Sequence, residues 1–413
     1  MNIIHTVNRF TFPRLVTESV NERLRVMPAL VITGARQSGK STLVEQLVGG
    51  ERRFFTLDDL ETLDAARRDP EVLVGGEMPV TLDEVQREPT LLQAVKRAIG
   101  RKRTPGQFLL TGSANLLLMG RVSESLAGRA SYLTVWPMTR RERQGEGRCG
   151  LWEEILAADE KDWIDLLSDQ GSKREDWKKL ALSGGFPTPA VDLKTERERA
   201  IWFDGYVRTY LERDLQTLSA IENLPDFRRL MRLLCHRLGG VVNQSGIGRD
   251  AGLAQPTVHR YMNLLETSFL LIRIPAYSVN RTKRLVKSPK LYWGDTGVAL
   301  HLAEQNEPGG EHLENLVLND LLAWRDSRLA RAEIFYWQTR TGEEVDFVIE
   351  TGDRLLPIEI KSTAKPKLDD IKHLRTFCAE YGKQSRSGLL LHNGSMIDWL
   401  APNVLAVPWW RVL

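Results

Sequence analysis

Five short apolar runs punctuate the first third of the 413-residue chain: "ALVIT", "RFFTLDD", "MPVTLDE", "QFLLTGS" and "ASYLTVW". Their spacing leaves room for a helix between each pair, which predicts a parallel sheet covered on both faces. From Trp136 to about Cys235 the pattern turns helical and polar, with exposed breaks at "RRERQGEGRCG" and "SDQGSKRED". Within it, "RAIWFDGYVRTYLERDLQTLSAI" carries aromatic and aliphatic residues at helical spacing and predicts a core-facing helix, with Arg208, Arg213 and Asp214 on its polar side. The stretch "NQSGIGRDAGLAQPTVHRYMNLLETSFLLIRIPAY" predicts a short helix opened by Ser245, a turn around Gly252 to Gln255, and a second helix with Pro256 at its first position. Ile247, Ala251, Val258, Tyr261 and Leu265 can close a small core there, and "FLLIRI" supplies the first strand of a wing. Further on, "EHLENLVLNDLLAW" is an amphipathic helix. "EEVDFVIETGDRLLPIEIKS" alternates as two strands joined at "TGDR", and "GLLLHNG" is a later core strand.

The first apolar run leads directly into "GARQSGKST", a full G-x-x-x-x-G-K-[ST] match from Gly34 to Ser41 with a strand before it and a helix after it. Gly34 and Gly39 let the loop Gly34, Ala35, Arg36, Gln37, Ser38 and Gly39 wrap so that its N–H groups face phosphates. Lys40 neutralises the β- and γ-phosphates, and Ser41, followed by Thr42, supplies an oxygen to Mg²⁺. ATP, with GTP as the alternative the motif leaves open, and Mg²⁺ are the expected ligands. The third run ends in Asp83, placed to hold Mg²⁺, and Glu84, placed to polarise an attacking water. The fourth run ends near Ser113 and Asn115, either of which can sense the γ-phosphate.

The C-terminal alternation poses a second chemical question. Glu359 and Lys361 are two apart on one strand and point the same way, and a hairpin brings Asp346 near them across twelve intervening residues. Two carboxylates for Mg²⁺ and a lysine to orient water would make a nuclease site, with Glu314 as a further ligand or support. An alternating strand with one wet face produces the same spacing, so the pattern by itself leaves both readings open.

Charge adds a local feature only. Lys plus Arg exceed Asp plus Glu by 57 − 54 = 3, so a nucleic-acid surface has to be a patch. Between Thr267 and Trp293 there is no acid but six cations, Arg273, Arg281, Lys283, Arg284, Lys287 and Lys290. Thr257, His259, Arg260 and Asn263 are expected to face outward from the second helix, with Arg281, Lys283 and Arg284 following in or beyond the wing, as candidate DNA contacts. The chain is long enough for two to four domains, and apolar residues, 42%, suffice to fill them. Three widely spaced cysteines, Cys149, Cys235 and Cys378, suit a reducing compartment. No apolar run reaches the ~20 residues of a membrane helix, so a cytoplasmic protein without a membrane partner is expected.

Together "GARQSGKST", "VTLDEVQ", "LLTGSAN", "SLAGR", "LSGGFPTP", "YLERDL", "KLYWGDTG" and "EVDFVIE...IEIK" resemble a bacterial and archaeal family of AAA-type ATPases, whose C-terminal half is a domain of unknown function with a restriction-endonuclease-like (PD-(D/E)xK) core. The likeness runs from about Ala29 to the end; Ala35 stands where the family loop is expected to have proline. The resemblance implies an α/β fold: an AAA+ P-loop core (1–138), a helical lid and extension (139–235), a winged helix (236–290) and a nuclease-like domain (291–413). It also makes Arg129 a candidate arginine finger reaching a neighbouring subunit in a homo-oligomer, the alternative being a helix-terminal cation favoured by the dipole. The expected function is an ATPase that engages or remodels DNA, possibly branched. The alternatives are an ATP-regulated Mg²⁺-dependent nuclease and a nucleotide-operated scaffold without nucleic acid.

Overall fold

The computed structural model describes residues 12–48, 50–112, 126–168, 173–214, 221 and 223–413, without the side chains of Leu47 and 211–214. Ser113, Asn115 and the side chains of Arg213 and Asp214 lie outside this description.

The five apolar runs form β1 (Ala29–Thr33), β2 (Arg53–Thr56), β3 (Val80–Asp83), β4 (Phe108–Thr111) and β5 (Ala130–Thr134). They make one all-parallel sheet in the order β2-β3-β4-β1-β5. Side chains alternate in direction along a strand, so both faces of a central strand must find cover. In β1, Ala29 and Val31 enter a cluster with Leu82, Val95 and Ile99, while Leu30 and Ile32 enter another with Val20, Leu43 and Leu109. The register pairs Ile32 with Thr111 and Thr56 with Asp83, so the ends of β1, β2, β3 and β4 come level at one edge.

The polar middle is helical, as expected. Two of its helices start at capping boxes, Thr139 with Glu142 and Thr195 with Glu198. The later helix pair is Gln244–Ala251 and Gln255–Thr267, with Gly252 in the left-handed conformation at φ 65° closing the first. The first helix is opened by Asn243 rather than Ser245: the Asn243 carboxamide oxygen accepts the Gly246 N–H at 3.0 Å, and Ser245 lies inside the first turn. Ile247, Ala251, Val258, Tyr261 and Leu265 are all buried. Next comes an antiparallel hairpin of β6 (Leu271–Ile274) and β7 (Lys290–Trp293), whose β7 also bonds the chain at 239–242.

The second sheet is mixed, in the order β12-β13-β11-β10-β9-β8, built from β8 (Glu333–Gln338), β9 (Glu344–Thr351), β10 (Arg354–Lys361), β11 (Gly388–His392), β12 (Asp398–Ala401) and β13 (Val404–Pro408). β9 and β10 are the expected hairpin, and β11 joins β10 in parallel. Helices Gly310–Ser327 and Lys372–Glu380 cover it.

The expected divisions after 235 and 290 run through one core, whereas the two clusters packed on the first sheet hold no residue beyond Val135. One apolar cluster contains Trp152, Phe186, Tyr261, Trp293, Leu321, Ile358 and Trp409. The Leu413 carbonyl accepts from Arg140 at 2.6 Å, tying the chain end to the helical region. The division at 290 also cuts β7, whose main chain pairs with β6 while Lys290 and Tyr292 reach the carboxylates of the following segment. Among the described residues no helix is long and apolar enough to cross a membrane.

Candidate nucleotide site and carboxylate cluster

The loop after β1 turns through positive φ at Gly34 (144°) and Gly39 (93°), where glycine is at ease, and at Gln37 (64°), where a side chain is uncommon. A Cβ on Gly34 would sit 2.3 Å from the Val135 carbonyl oxygen, so only glycine fits there. Lys40 is 4% exposed and donates to the carbonyls of Ala35 (2.8 Å) and Gly34 (3.2 Å). Ala35 thus contributes through its backbone. Burial pulls the Lys40 ammonium down to about 8, against the opposing pull of Glu84 and Asp83. Ser41 donates to Asp83 at 3.1 Å, and the same carboxylate accepts from Thr56 at 3.3 Å and from Thr111. Glu84 follows in the left-handed conformation, φ 58°, with its N–H directed to the Thr111 hydroxyl. Burial raises its carboxyl above the usual range, opposed by Lys40 and by the Gln86 amide that touches it.

This arrangement fits a Mg²⁺ nucleotide. A buried ammonium in a glycine-shaped cradle stands beside a hydroxyl and carboxylate already in contact, and the buried Ser38 hydroxyl has no hydrogen-bond partner among the described residues.

Several supports of this loop escaped the sequence pattern. Arg14 donates to the Ser38 carbonyl (2.9 Å), to the Trp136 carbonyl (2.8 Å) and to Glu142 (3.0 Å), all buried. Tyr206 donates to the Arg36 carbonyl at 3.4 Å. Asp295, from "GDTG", accepts the Gly185 N–H of "LSGGFPTP" at 2.6 Å, and Pro187 of that segment closes on Gly39. These two motifs therefore brace the loop from behind. Replacing Arg14 by Ala removes the buried ion pair of Glu142, leaving it the Leu15 and Thr139 N–H groups, and frees the Ser38 carbonyl, so a stability loss of about 3 kcal/mol is expected, with Arg14→Lys recovering part. Urea denaturation reads this, and an Arg14→Ala protein within about 0.5 kcal/mol of wild type would contradict it.

Arg129 lies at the start of β5, where Ala130 is level with Ala29. That is the sheet edge opposite the P-loop, so its own nucleotide site is a strand length away. Its guanidinium contacts the Ala127 carbonyl at 3.3 Å.

At the second candidate site the hairpin register puts Phe347 opposite Ile358, and Asp346 and Glu359 lie next beyond them. Lys361 donates to Glu359 at 2.6 Å. Asp346 accepts the Ile360 N–H at 2.9 Å on one oxygen and the Lys290 ammonium at 3.3 Å on the other. Lys290 also touches Glu344, and Tyr292 donates to Glu314 at 3.0 Å. Burial, then the charge of Asp346, raises the carboxyls of both Glu314 and Glu359. The four predicted residues do gather here, but Lys290 and Tyr292 were not foreseen in this role. The donors do not fit a divalent ion: both Asp346 oxygens are engaged, and among the described residues no three His, Cys, Asp or Glu side chains are placed to hold a metal.

The expected DNA-facing residues divide. His259 and Arg260 are exposed and Thr257 half-buried, with His259 near Asn263 (3.0 Å) and Gln244 (3.4 Å). Arg281 and Lys283 are exposed on the helix Arg281–Val286. Arg284 must be withdrawn as a phosphate contact. It is 8% exposed, forms a two-pronged pair with Glu350 (2.6 and 2.8 Å), and lies over the rings of Tyr277 and Phe335. A cleft of about 930 Å³ beside this helix is lined by Arg273, Arg325 and Arg331 as well, but each meets an acid, Glu266, Asp326 and Glu333 respectively. The exposed cations of the basic stretch are Arg281, Lys283 and Lys287.

Residues 27–144 match an AAA domain, 174–309 a domain of unknown function (DUF8612), and 309–412 another (DUF4143). The uncharacterized protein Rv2008c of Mycobacterium tuberculosis is 32% identical over 351 residues, which cover 83% of this chain and 72% of that protein. This chain belongs to the Rv2008c family. An uncharacterized protein of Haemophilus influenzae is 22% identical over 357 residues, 80% of this chain and 81% of its own. Among solved structures, a Walker-type ATPase of Pyrococcus abyssi is similar at 16% identity with a TM-score of 0.44, covering 70% of this chain and 94% of that one. In this member of the Rv2008c family the AAA match spans β1 to β5 and the first capped helix, so the P-loop belongs to an AAA-type ATP-binding domain. The match boundary at 309 coincides with Gly309, the cap of helix Gly310–Ser327, and leaves β7 with its partner β6.

Proposed function

We propose that this protein is an oligomeric ATPase that uses cycles of ATP binding and hydrolysis to engage or remodel DNA. The observation that carries the ATPase reading is the convergence of Lys40, Ser41, Asp83 and Glu84 at one edge of the parallel sheet. Loop N–H groups and Lys40 hold the phosphates, and Ser41 with Asp83 would hold Mg²⁺, which when bound neutralises phosphate charge. Glu84 accepts the proton of the attacking water; its burial beside Lys40 suits a base that works only when the site is filled. Arg129, remote from its own P-loop, serves a neighbouring subunit.

The DNA reading rests on the helix pair 244–267 followed by the β6–β7 hairpin, which we interpret as a winged helix presenting His259 and Arg260, with Arg281, Lys283 and Lys287 beside it. The second sheet we interpret as restriction-endonuclease-like from its β8–β9–β10 meander joined in parallel to β11. Changing Arg281, Lys283 and Lys287 together to Ala is expected to weaken binding to duplexes of any sequence and to flatten its salt dependence by about 0.9 log-log unit per lost phosphate contact. Fluorescence anisotropy across a salt series measures both. Wild-type protein that fails to bind DNA at low salt, with or without ATP, would favour the nucleic-acid-free scaffold instead.

A further inference from the structure

The carboxylate cluster of the second sheet already contains a cation. Lys290 is 2% exposed, and its ammonium lies against Glu344 and Asp346. Two residues along the same strand, Tyr292 donates to Glu314. The second Asp346 oxygen is held by the Ile360 N–H, and Lys361 holds one oxygen of Glu359. The other Glu359 oxygen, Oε2, is buried without a hydrogen-bond partner among the described residues. A Mg²⁺ ion needs near-octahedral oxygen ligands at about 2.1 Å, stripped of competing donors. Here the Lys290 ammonium lies on one Asp346 oxygen while the Ile360 N–H holds the other, and the ammonium's charge repels a second cation. Lys290 also arrives from outside the second sheet, on the hairpin strand β7 whose chain continues to Asp295 and the support of the P-loop.

We propose that Lys290 is the resident cation of this cluster, replacing a divalent ion, and that the second sheet is a metal-independent module locked to the β6–β7 hairpin by a buried charge network rather than a phosphodiester-cleaving centre. The proposal concerns a different site from the ATPase reading and does not depend on it.

The test is Mn²⁺ binding to the nucleotide-free full-length protein, followed by electron paramagnetic resonance. Wild type is expected to show no site that Asp346→Asn removes, and no Mg²⁺- or Mn²⁺-dependent cleavage of plasmid or branched DNA. Lys290→Gln removes the ammonium while keeping a polar, neutral side chain one atom shorter. It is expected to bind Mn²⁺ at least tenfold more tightly than wild type and to lose that gain when Asp346→Asn is added. A wild-type Mn²⁺ site that survives Asp83→Asn and disappears in Asp346→Asn would overturn the proposal. So would a folded Lys290→Gln protein with no gain. Should Lys290→Gln fail to fold, the wild-type and Asp346→Asn pair decides by itself.

Discussion

Lys40→Ala is expected to abolish tight ATP binding, whereas Glu84→Gln keeps binding and loses turnover. The two residues lie in one site but act on different partners. Lys40 is buried at the centre of the loop, with its ammonium on the Gly34 and Ala35 carbonyls, where its charge has little competition from water. Removing it leaves phosphates facing a cradle with no counter-charge, and affinity should fall by about 10²-fold or more. Glu84 lies beyond Asp83 and contacts Gln86, placed to take a proton rather than to hold phosphate. Its amide replacement should lower kcat by about 10²- to 10⁴-fold at little cost in affinity. Calorimetry of ATP binding and phosphate release together read this split. Normal hydrolysis by Lys40→Ala would sink the ATPase reading.

Arg129→Ala is expected to lower ATP turnover by about 10³-fold or more, the magnitude of an arginine finger supplied from outside the P-loop's own subunit. The physical reason is the sheet itself. β1 and β5 run parallel and in register, so Arg129 before Ala130 is separated from the loop after Thr33 by a five-residue strand, roughly 16 Å at about 3.3 Å per residue. A guanidinium at that edge serves a nucleotide only across an interface. Mixing Arg129→Ala with Glu84→Gln protein should restore part of the activity, because some interfaces then combine an intact Glu84 with an intact Arg129. Full activity of Arg129→Ala alone would leave the side chain a turn-stabilising cation bonded to the Ala127 carbonyl.

What the sequence by itself determined are the features written in contiguous stretches. Strand alternation, the glycine-Lys-Ser spacing and the "TGDR" turn depend on neighbours a few residues apart, and β1 to β5, the loop shape and the β9–β10 hairpin follow from them. Helix caps were legible to within a residue or two: Asn243 took the role expected of Ser245 because its carboxamide reaches the Gly246 N–H. The role of each charge was decided only by the tertiary structure. Six cations in an acid-free stretch look alike in sequence, yet Arg284 finds Glu350 66 residues away, and Lys290 finds Asp346 56 residues away, each buried where an unpaired charge would be too costly to keep. Arg14 reaches Glu142 across 128 residues to hold the loop that the motif announced. A motif specifies which groups can meet phosphate, but long-range packing decides which charges are left in water to meet a partner, and that information is spread over segments whose local patterns do not mention one another.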